Sequence, residues 1–307
     1  MNLEELMLRR LVFVSGKGGV GKTTVAISLG LLAAQLGKKT ILVELTSSER
    51  IAPFFFDKMA GYKELELQNN LFVINPNPHD CLKEYVMKQV YFKGIYELFV
   101  NNRYVTSFLN AIPGLNELLM LGKIMDLEWQ KKYDFIIVDA PATGHGVSFL
   151  EVPDVVMNAV KVGPLRKKAF EISEGIKNQE VTAFCGVTLA EEMPVVELSE
   201  LMEKIKKDLK INLGPVFVNN TVSSPLSLAE AVKLKEEPFS EDEHLKAYPA
   251  LALMMYERAK LNEEYIVELK KNIGKNTLIK LPHKPGLIRK GKDFFPLVDD
   301  LKEYLHA

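Results

Sequence analysis

Two lysines and four glycines are closely spaced in the stretch SGKGGVGKTT, which runs from Ser15 to Thr24. The stretch fits the spacing G-x-x-x-x-G-K-[ST], in which glycines let successive backbone N–H groups point at phosphate oxygens. In such a loop the second lysine neutralises the β- and γ-phosphates, and the threonine hydroxyl is a ligand of Mg²⁺. We therefore predict a site for ATP and Mg²⁺ formed by Gly16, Lys17, Gly18, Gly19, Val20, Gly21, Lys22, Thr23 and Thr24.

A carboxylate follows the apolar run FIIV and gives the candidate site its acidic member. This residue, Asp139, is predicted to end a buried strand, at the edge where strand ends and ligand crevices meet in open α/β sheets. There it would hold Mg²⁺ through water, while the metal bridges the phosphates. Thr23 and Asp139 are the predicted metal-binding residues.

Short apolar runs rich in β-branched residues alternate with longer helical patterns along the chain. Continuous apolar runs are typical of parallel strands covered on both faces. We predict an α/β fold of the P-loop NTPase type, a doubly wound and mostly parallel sheet flanked by helices, as a single domain over residues 1–307. Helical excursions are expected at about 81–130 and 221–275. The predicted strands are 11–14, 40–44, 71–75, 135–139, 182–188, 215–219 and 276–281.

Three helices are predicted from local patterns. A buried helix should run from about Lys22 to Leu36, stopped by Gly37, and an amphipathic helix from Val195 to Leu209. The final segment PLVDDLKEYLHA is acidic and is predicted to pack on the protein, since a membrane-surface helix would carry a basic face.

Composition argues against several classes of partner. There are 39 basic and 40 acidic residues, a net charge of −1, so no basic field attracts nucleic acid. The basic segment PLRKKAF (164–170) is interpreted as a solvated loop. Two cysteines far apart in sequence favour a reducing, cytoplasmic setting. The longest apolar run is shorter than the ~20 residues of a bilayer span, so direct membrane insertion is not expected.

The string SGKGGVGKTT resembles the deviant Walker A loop of the MinD, ParA and ArsA group of ATPases, and APATGHG (140–146) resembles the switch II signature of the ArsA family. That family includes arsenite-pump ATPases and the ATPase that delivers tail-anchored membrane proteins. The resemblance implies ATP hydrolysis and a homodimer in which Lys17 touches the other subunit's nucleotide. Charge supports the contact across the homodimer, because Lys17 is repelled by Lys22 unless the phosphates of another nucleotide neutralise it.

Further residues take their roles from the same resemblance. PVFVNN resembles the strand whose asparagine reads adenine, which is Asn219, and Pro282 lies in the stretch similar to the adenine loop. Switch II is expected to relay the nucleotide state to a client or membrane-protein partner, with His145 as a hydrogen-bonding residue. Buried core is one reading of the apolar side chains in 81–130, and a client groove is the other. These side chains are Met87, Met120, Met125, Phe92, Phe99 and Phe108.

The sequence departs from the family in the stretch ELTSSER, after the second predicted strand. Better-known members carry an aspartate there that orients the attacking water, and the aligned residue is Thr46. Glu44, at the strand end, is our candidate to replace it, which makes Lys17, Lys22 and Glu44 the predicted catalytic residues of a slow ATPase. Two alternatives stay open: a weakly or non-hydrolysing scaffold that pairs with a paralogue, and a MinD- or ParA-like positioning ATPase. Cys81 and Cys185 are too few for a three-thiol metalloid site in one subunit.

Overall fold

The computed structural model describes residues 1–46, 48–89, 112–236, 243–284, 286 and 288–305. Eight strands within this part form a single sheet in the order β3-β4-β2-β5-β1-β6-β7-β8. All neighbouring pairs are parallel except β3 with β4. The strands are β1 (Leu11–Ser15), β2 (Thr40–Glu44), β3 (Leu65–Gln68), β4 (Leu71–Ile74), β5 (Phe135–Asp139), β6 (Thr182–Leu189), β7 (Asn212–Thr221) and β8 (Leu278–Pro282).

Helices cover both faces of the sheet, so the predicted α/β class is confirmed. Eleven α-helices are described, and the two faces of the sheet bury two separate apolar clusters. The helices are α1 (Leu3–Met7), α2 (Lys22–Gln35), α3 (Ile51–Phe55), α4 (Pro78–Gln89), α5 (Leu115–Trp129), α6 (Thr143–Ala159), α7 (Pro164–Lys177), α8 (Glu192–Lys204), α9 (Leu228–Glu236), α10 (Glu243–Ile273) and α11 (Phe295–Lys302).

The central strand β1 shows why the strands appear in the sequence as unbroken apolar runs. Leu11 and Phe13 join the cluster beneath α5, α6, α7, α8 and α10, whereas Val12 and Val14 join the cluster beneath α1, α2 and α11. Successive side chains of a strand point to opposite faces, so a strand covered on both sides must be apolar throughout.

The predicted helix after the glycine loop is confirmed as α2, and every residue from Val25 to Ala34 is buried. The predicted C-terminal packing helix is confirmed as α11, whose Leu297, Val298 and Leu301 are buried against the same face of the sheet as α2. The packing of α2 against the sheet and against α11 fixes the start of α2, and with it the end of the glycine loop, next to β1.

Three local expectations were wrong or incomplete. Residues 164–170 are not a loop but the first half of α7, because Pro164 begins a helix that buries Ala169, Ile172 and Ile176 at helical spacing. Strand β3 was not predicted, since only Leu67 of its four residues is buried. The predicted helix 195–209 begins earlier, at Glu192, and its last turn widens into a π-helix over Ile205–Leu209.

The structure describes helices within both stretches where helical excursions are predicted. The first contains α4 and α5, and Gly114, directly before α5, has φ of 77°. The second contains α9 and the 31-residue α10. The described helices include none that is long and apolar enough to cross a membrane. That residues 1–307 form one domain stays a prediction.

Candidate functional site

The glycine loop lies where the strand order of the sheet reverses, between β1 and the start of α2. Gly19 and Gly21 have φ of 85° and 94°, which glycine adopts readily and other residues rarely. A Cβ on Gly16 would lie 2.0 Å from the carbonyl oxygen of Val187 on β6, and a Cβ on Gly21 would lie 2.2 Å from Asn219 Nδ2. The loop is therefore packed against β6 and β7 as tightly as glycine allows, with the N-terminus of α2 at its end, an arrangement that binds anions.

Lys22 lies inside the loop that it terminates. Its ammonium donates a hydrogen bond to the backbone carbonyl of Lys17, with 3.1 Å between Nζ and O. Burial lowers the pKa of Lys22, the negative charge of Asp139 opposes that shift, and the positive charge of Arg50 adds to it. The amine thus spans the loop from end to start, in the place where it would meet phosphate oxygens.

The predicted metal-binding residues meet directly. Thr23 Oγ1 donates to Asp139 Oδ2 at 2.5 Å, and Asp139 is only 3% exposed. The other carboxylate oxygen, Oδ1, is buried without a hydrogen-bond partner in the described part of the chain. Burial raises the pKa of Asp139, while Thr23, Lys22 and Arg50 act in the opposite direction. A hydroxyl and an unsatisfied carboxylate oxygen are hard ligands that fit Mg²⁺.

Glu44 ends β2 directly beside Asp139, as its register position shows. Its side chain is fully buried. Oε1 accepts hydrogen bonds from the Arg50 backbone N–H at 2.7 Å and the Thr46 hydroxyl at 3.2 Å, and Oε2 accepts from the Ile51 N–H at 3.2 Å. Both oxygens therefore hold the loop after β2 and the start of α3. A role for Glu44 in orienting water stays a prediction.

Arg50 is a site residue that the sequence did not reveal. It is exposed at the beginning of α3, and its charge acts on both Lys22 and Asp139 in the centre of the site. Its signal in the sequence is a cation at the end of the stretch ELTSSER. The structure adds a positive charge on the β2 side of the loop, opposite to the side held by β6 and β7.

Lys17 forms an ion pair within its own subunit. Its ammonium lies 2.5 Å from Oε1 of Glu197 on α8, 180 residues away in sequence. The side chains are 34% and 29% exposed, so water only partly screens the pair. Nothing in the sequence around Glu197 marks it as a partner of the loop.

The predicted adenine-binding residues lie at the ends of β7 and β8 and line one groove with the glycine loop. This groove has a volume of about 570 Å³, and its walls include Gly19, Thr24, Asn219 and Pro282. Asn219 Nδ2 donates to the Val20 carbonyl at 3.0 Å, which ties the groove to the loop. The walls also include His283, which the sequence analysis did not select. The groove continues the phosphate loop on one side of the sheet edge, as a nucleoside site requires.

The predicted methionine-rich face does not form one surface in the described residues. Met125 is fully buried in the core, Met120 packs against that core, and Met87 is half exposed on α4. The predicted members Phe92, Phe99 and Phe108 lie outside the described residues, as does the side chain of His145.

Both cysteines are buried, and burial raises their pKa values, to about 12 for Cys81. No group of three or more histidine, cysteine, aspartate or glutamate side chains is arranged for a metal ion in the parts of the chain that are described. A raised pKa disfavours the thiolate form that soft metals and metalloids need.

Comparison with known proteins places this geometry in a family. The model of the anion-transporting ATPases matches residues 9–169. The ATPase BagA of Mycobacterium tuberculosis is 32% identical over 247 residues, which cover 76% of this chain and 71% of that protein. The ATPase GET3 of Podospora anserina is 25% identical over 231 residues, covering 74% and 68%. The ATPase ASNA1 homolog 2 of Paramecium tetraurelia is 24% identical over 258 residues, covering 72% and 78%.

The matched segment contains the glycine loop, Lys22, Thr23 and Asp139. The chain therefore belongs to the anion-transporting, or ArsA-type, ATPase family and is an ATPase.

Proposed function

We propose that this chain is a Mg²⁺-dependent ATPase that works as a nucleotide-gated homodimer and couples its nucleotide state to a partner protein. The observation that carries the proposal is Asp139 Oδ1, which is buried and has no hydrogen-bond partner among the described residues, near the Thr23 hydroxyl and the Lys22 ammonium. A buried carboxylate oxygen without a partner is costly unless a cation completes its surroundings.

The residues divide the chemistry among themselves. The backbone N–H groups of the glycine loop and the N-terminus of α2 bind the phosphates, and Lys22 neutralises the β- and γ-oxygens. Thr23 and Asp139 hold Mg²⁺, which supplies charge neutralisation in phosphoryl transfer. Glu44 keeps the loop after β2 in place next to Asp139 through its hydrogen bonds to the Thr46 hydroxyl and the Arg50 backbone N–H. Positioning and electrostatics supply most of the catalysis of phosphoryl transfer, so slow turnover needs no ideal base.

Phosphate release tests the enzymatic part. We expect the wild type with Mg²⁺ and ATP to release phosphate, and both Lys22→Ala and chelation of Mg²⁺ to abolish the release. Lys275→Ala is a matched control, because this exposed lysine lies at the opposite edge of the sheet, before β8. Equal phosphate release by wild type and Lys22→Ala would contradict the proposal.

The homodimer is supported by Lys17, a cation on a loop whose own phosphates are served by Lys22. Sedimentation velocity with a non-hydrolysable ATP analogue should show conversion of monomer to dimer, and Lys17→Ala should prevent it. Lys275→Ala should dimerise like the wild type. A protein that binds the analogue and sediments as a monomer at all concentrations would rule out the homodimer.

Coupling to a partner is supported by the course of α6. This helix begins four residues after Asp139, and its Phe149, Leu150, Val152 and Val156 are buried in the same apolar cluster as α5 and α7. A shift at the start of α6 would therefore reach that helical layer through packed side chains.

Amide hydrogen exchange tests this coupling. The ATP analogue should change exchange in residues 115–129 and 164–177 relative to ADP, and Asp139→Asn should suppress the difference. Identical exchange with the two nucleotides would contradict the coupling.

A further inference from the structure

Lys17, the cation that the proposed dimer needs at its interface, forms an ion pair with Glu197 of its own subunit. The Lys17 ammonium donates a charge-assisted hydrogen bond directly to Glu197 Oε1. Lys17 is the residue that the proposed homodimer must send across its interface. The same ammonium cannot be fully neutralised by Glu197 and also neutralise a phosphate of another molecule.

Both partners are fixed to the same strand, so their meeting is built into the fold. Lys17 follows Gly16, whose Cα approaches the Val187 carbonyl of β6 so closely that a Cβ would lie 2.0 Å from the oxygen. Glu197 precedes Leu198, and a Cβ on Gly186, also in β6, would lie 2.7 Å from Leu198 Cδ1. The loop and α8 are therefore held in register with each other by β6, and the pair is not a chance contact of two mobile side chains.

Charge decides how this pair responds to a nucleotide. The carboxylate of Glu197 meets the Lys17 ammonium, and the strand on which its helix packs, β6, lies on the side of β1 away from β5 and Asp139. A second triphosphate that approaches Lys17 carries more negative charge than one carboxylate and competes for the ammonium. A diphosphate carries less charge and lacks the γ-phosphate, so it competes less well.

We propose that Glu197 is a latch that holds Lys17 within the isolated subunit and releases it to the partner subunit's ATP. This inference rests on the proposed homodimer, and it identifies Glu197 as the residue whose charge the nucleotide must overcome before the dimer forms. The latch opposes dimerisation in every nucleotide state, and only the charge of a triphosphate overcomes it. Glu197 thereby increases the difference between the ATP and ADP states.

The decisive measurement is the dimer dissociation constant in saturating non-hydrolysable ATP analogue with Mg²⁺, obtained by sedimentation equilibrium. Glu197→Gln removes the charge at constant size and should tighten the dimer about two- to tenfold, because partly exposed ion pairs are modest in strength and a symmetric dimer opens two of them. Glu200→Gln is the matched control, since Glu200 is an exposed carboxylate on the same helix. It should change the constant by less than about twofold.

A double-mutant cycle assigns the effect to the pair. In a Lys17→Ala background, which is expected to stay monomeric, Glu197→Gln should not restore the dimer, because the cation that the latch holds is gone. In ADP, Glu197→Gln should raise the fraction of dimer more than Glu200→Gln does. A dimer that is unchanged or weakened by Glu197→Gln in the ATP analogue overturns the latch and leaves the homodimer intact.

Chemical labelling gives a second readout on the nucleotide-free monomer. Acetylation of the Lys17 amine, measured by peptide mass spectrometry, should be several-fold faster in Glu197→Gln than in the wild type, while Lys275 should react equally in both. Equal rates at Lys17 would overturn the latch even if the dimer tightened. A wild type that binds the analogue and stays monomeric would overturn the homodimer and the latch together, so the two failures are distinguishable.

Discussion

Two carboxylates flank the central strand β1, and their surroundings are opposite. Asp139, on the β5 side, is 3% exposed and keeps one oxygen without a partner, although a lysine charge lies nearby. Glu197, on the β6 side, is 29% exposed and already paired with Lys17. The carboxylate on the first side is influenced by the charges of Lys22 and Arg50, whereas the carboxylate on the second side forms a direct ion pair with Lys17.

The difference assigns separate tasks to the two lysines of one loop. In the proposed function, a metal and a nucleotide would bind on the β5 side to residues that are already close together, so binding there would require little rearrangement. On the β6 side an existing ion pair must open before Lys17 can act elsewhere. Changes around Asp139 should therefore affect binding and turnover, and changes around Glu197 should affect assembly.

The largest effect is expected from Lys22→Ala, which removes the ammonium at the end of the glycine loop. The value of kcat/KM for ATP should fall at least about 100-fold, as for the loss of one group that stabilises developing charge. Steady-state phosphate release at several ATP concentrations measures this. A loss below tenfold would mean that Lys22 does not face the phosphates.

Asp139→Asn tests the proposed metal-binding role of the carboxylate on the β5 side. The amide can still accept from Thr23 Oγ1 but lacks the negative charge, so the concentration of Mg²⁺ needed for half-maximal activity should rise about 10- to 100-fold, as for other residues that hold a metal through its bound groups. Titration of activity with Mg²⁺ at fixed ATP shows the shift. Glu197→Gln serves as the control on the other side of β1 and should leave the Mg²⁺ requirement unchanged.

Arg50→Ala tests whether the exposed cation after β2 belongs to the phosphate site. Because Arg50 is exposed and acts through solvent, we expect ATP affinity to fall only about two- to fivefold, with a smaller loss for ADP. High salt should abolish the difference from wild type. Fluorescence titration with labelled nucleotides provides the measurement, and Arg258→Ala on α10 is an exposed control. An equal loss for ATP and ADP would argue against contact with the γ-phosphate.

Glu44→Gln should have the smallest effect, which depends on pH. Burial raises the pKa of Glu44 from its ordinary value of 4.5, so its contribution to stability is complete below that value and is lost as pH rises through the raised pKa. The free energy of unfolding of the wild type should therefore exceed that of Glu44→Gln by an amount that shrinks with rising pH. Urea denaturation of both proteins from pH 4 to pH 8 measures the trend. A gap that widens with pH would contradict the assigned direction.

The sequence predicts those parts of the site whose geometry is local. The loop from Gly16 to Thr24 and the strand-ending Asp139 are recognisable because short spacings on one strand and one helix fix their chemistry. Asn219 and Pro282 are assigned from the family resemblance, and they line one groove because β7 and β8 are parallel neighbours in the sheet. The prediction of seven of the eight strands rests on their continuous apolar runs.

What the sequence does not predict depends on contacts between distant segments. Glu197 meets Lys17 only because the loop and α8 are both packed on β6, and no local spacing encodes that meeting. Arg50 lies near Lys22 and Asp139 because its backbone N–H donates a hydrogen bond to Glu44, which ends β2 beside Asp139. The helix α7 was taken for a loop because its first residues are charged, and the apolar stripe that defines it continues to Ile176.

The hydrogen bond from Asn219 to the Val20 carbonyl has a consequence for base selectivity. Only the nitrogen side of an amide can donate to a carbonyl, so this bond fixes the orientation of the side chain and leaves Oδ1 facing away from the loop. In its predicted role, Asn219 then offers Oδ1 as an acceptor to the exocyclic amine of adenine. With guanine, Oδ1 would face the O6 acceptor, and the two oxygens would repel each other. GTP should therefore be a poorer ligand than ATP, because the Val20 carbonyl of the glycine loop fixes the orientation of the Asn219 amide that contacts the purine.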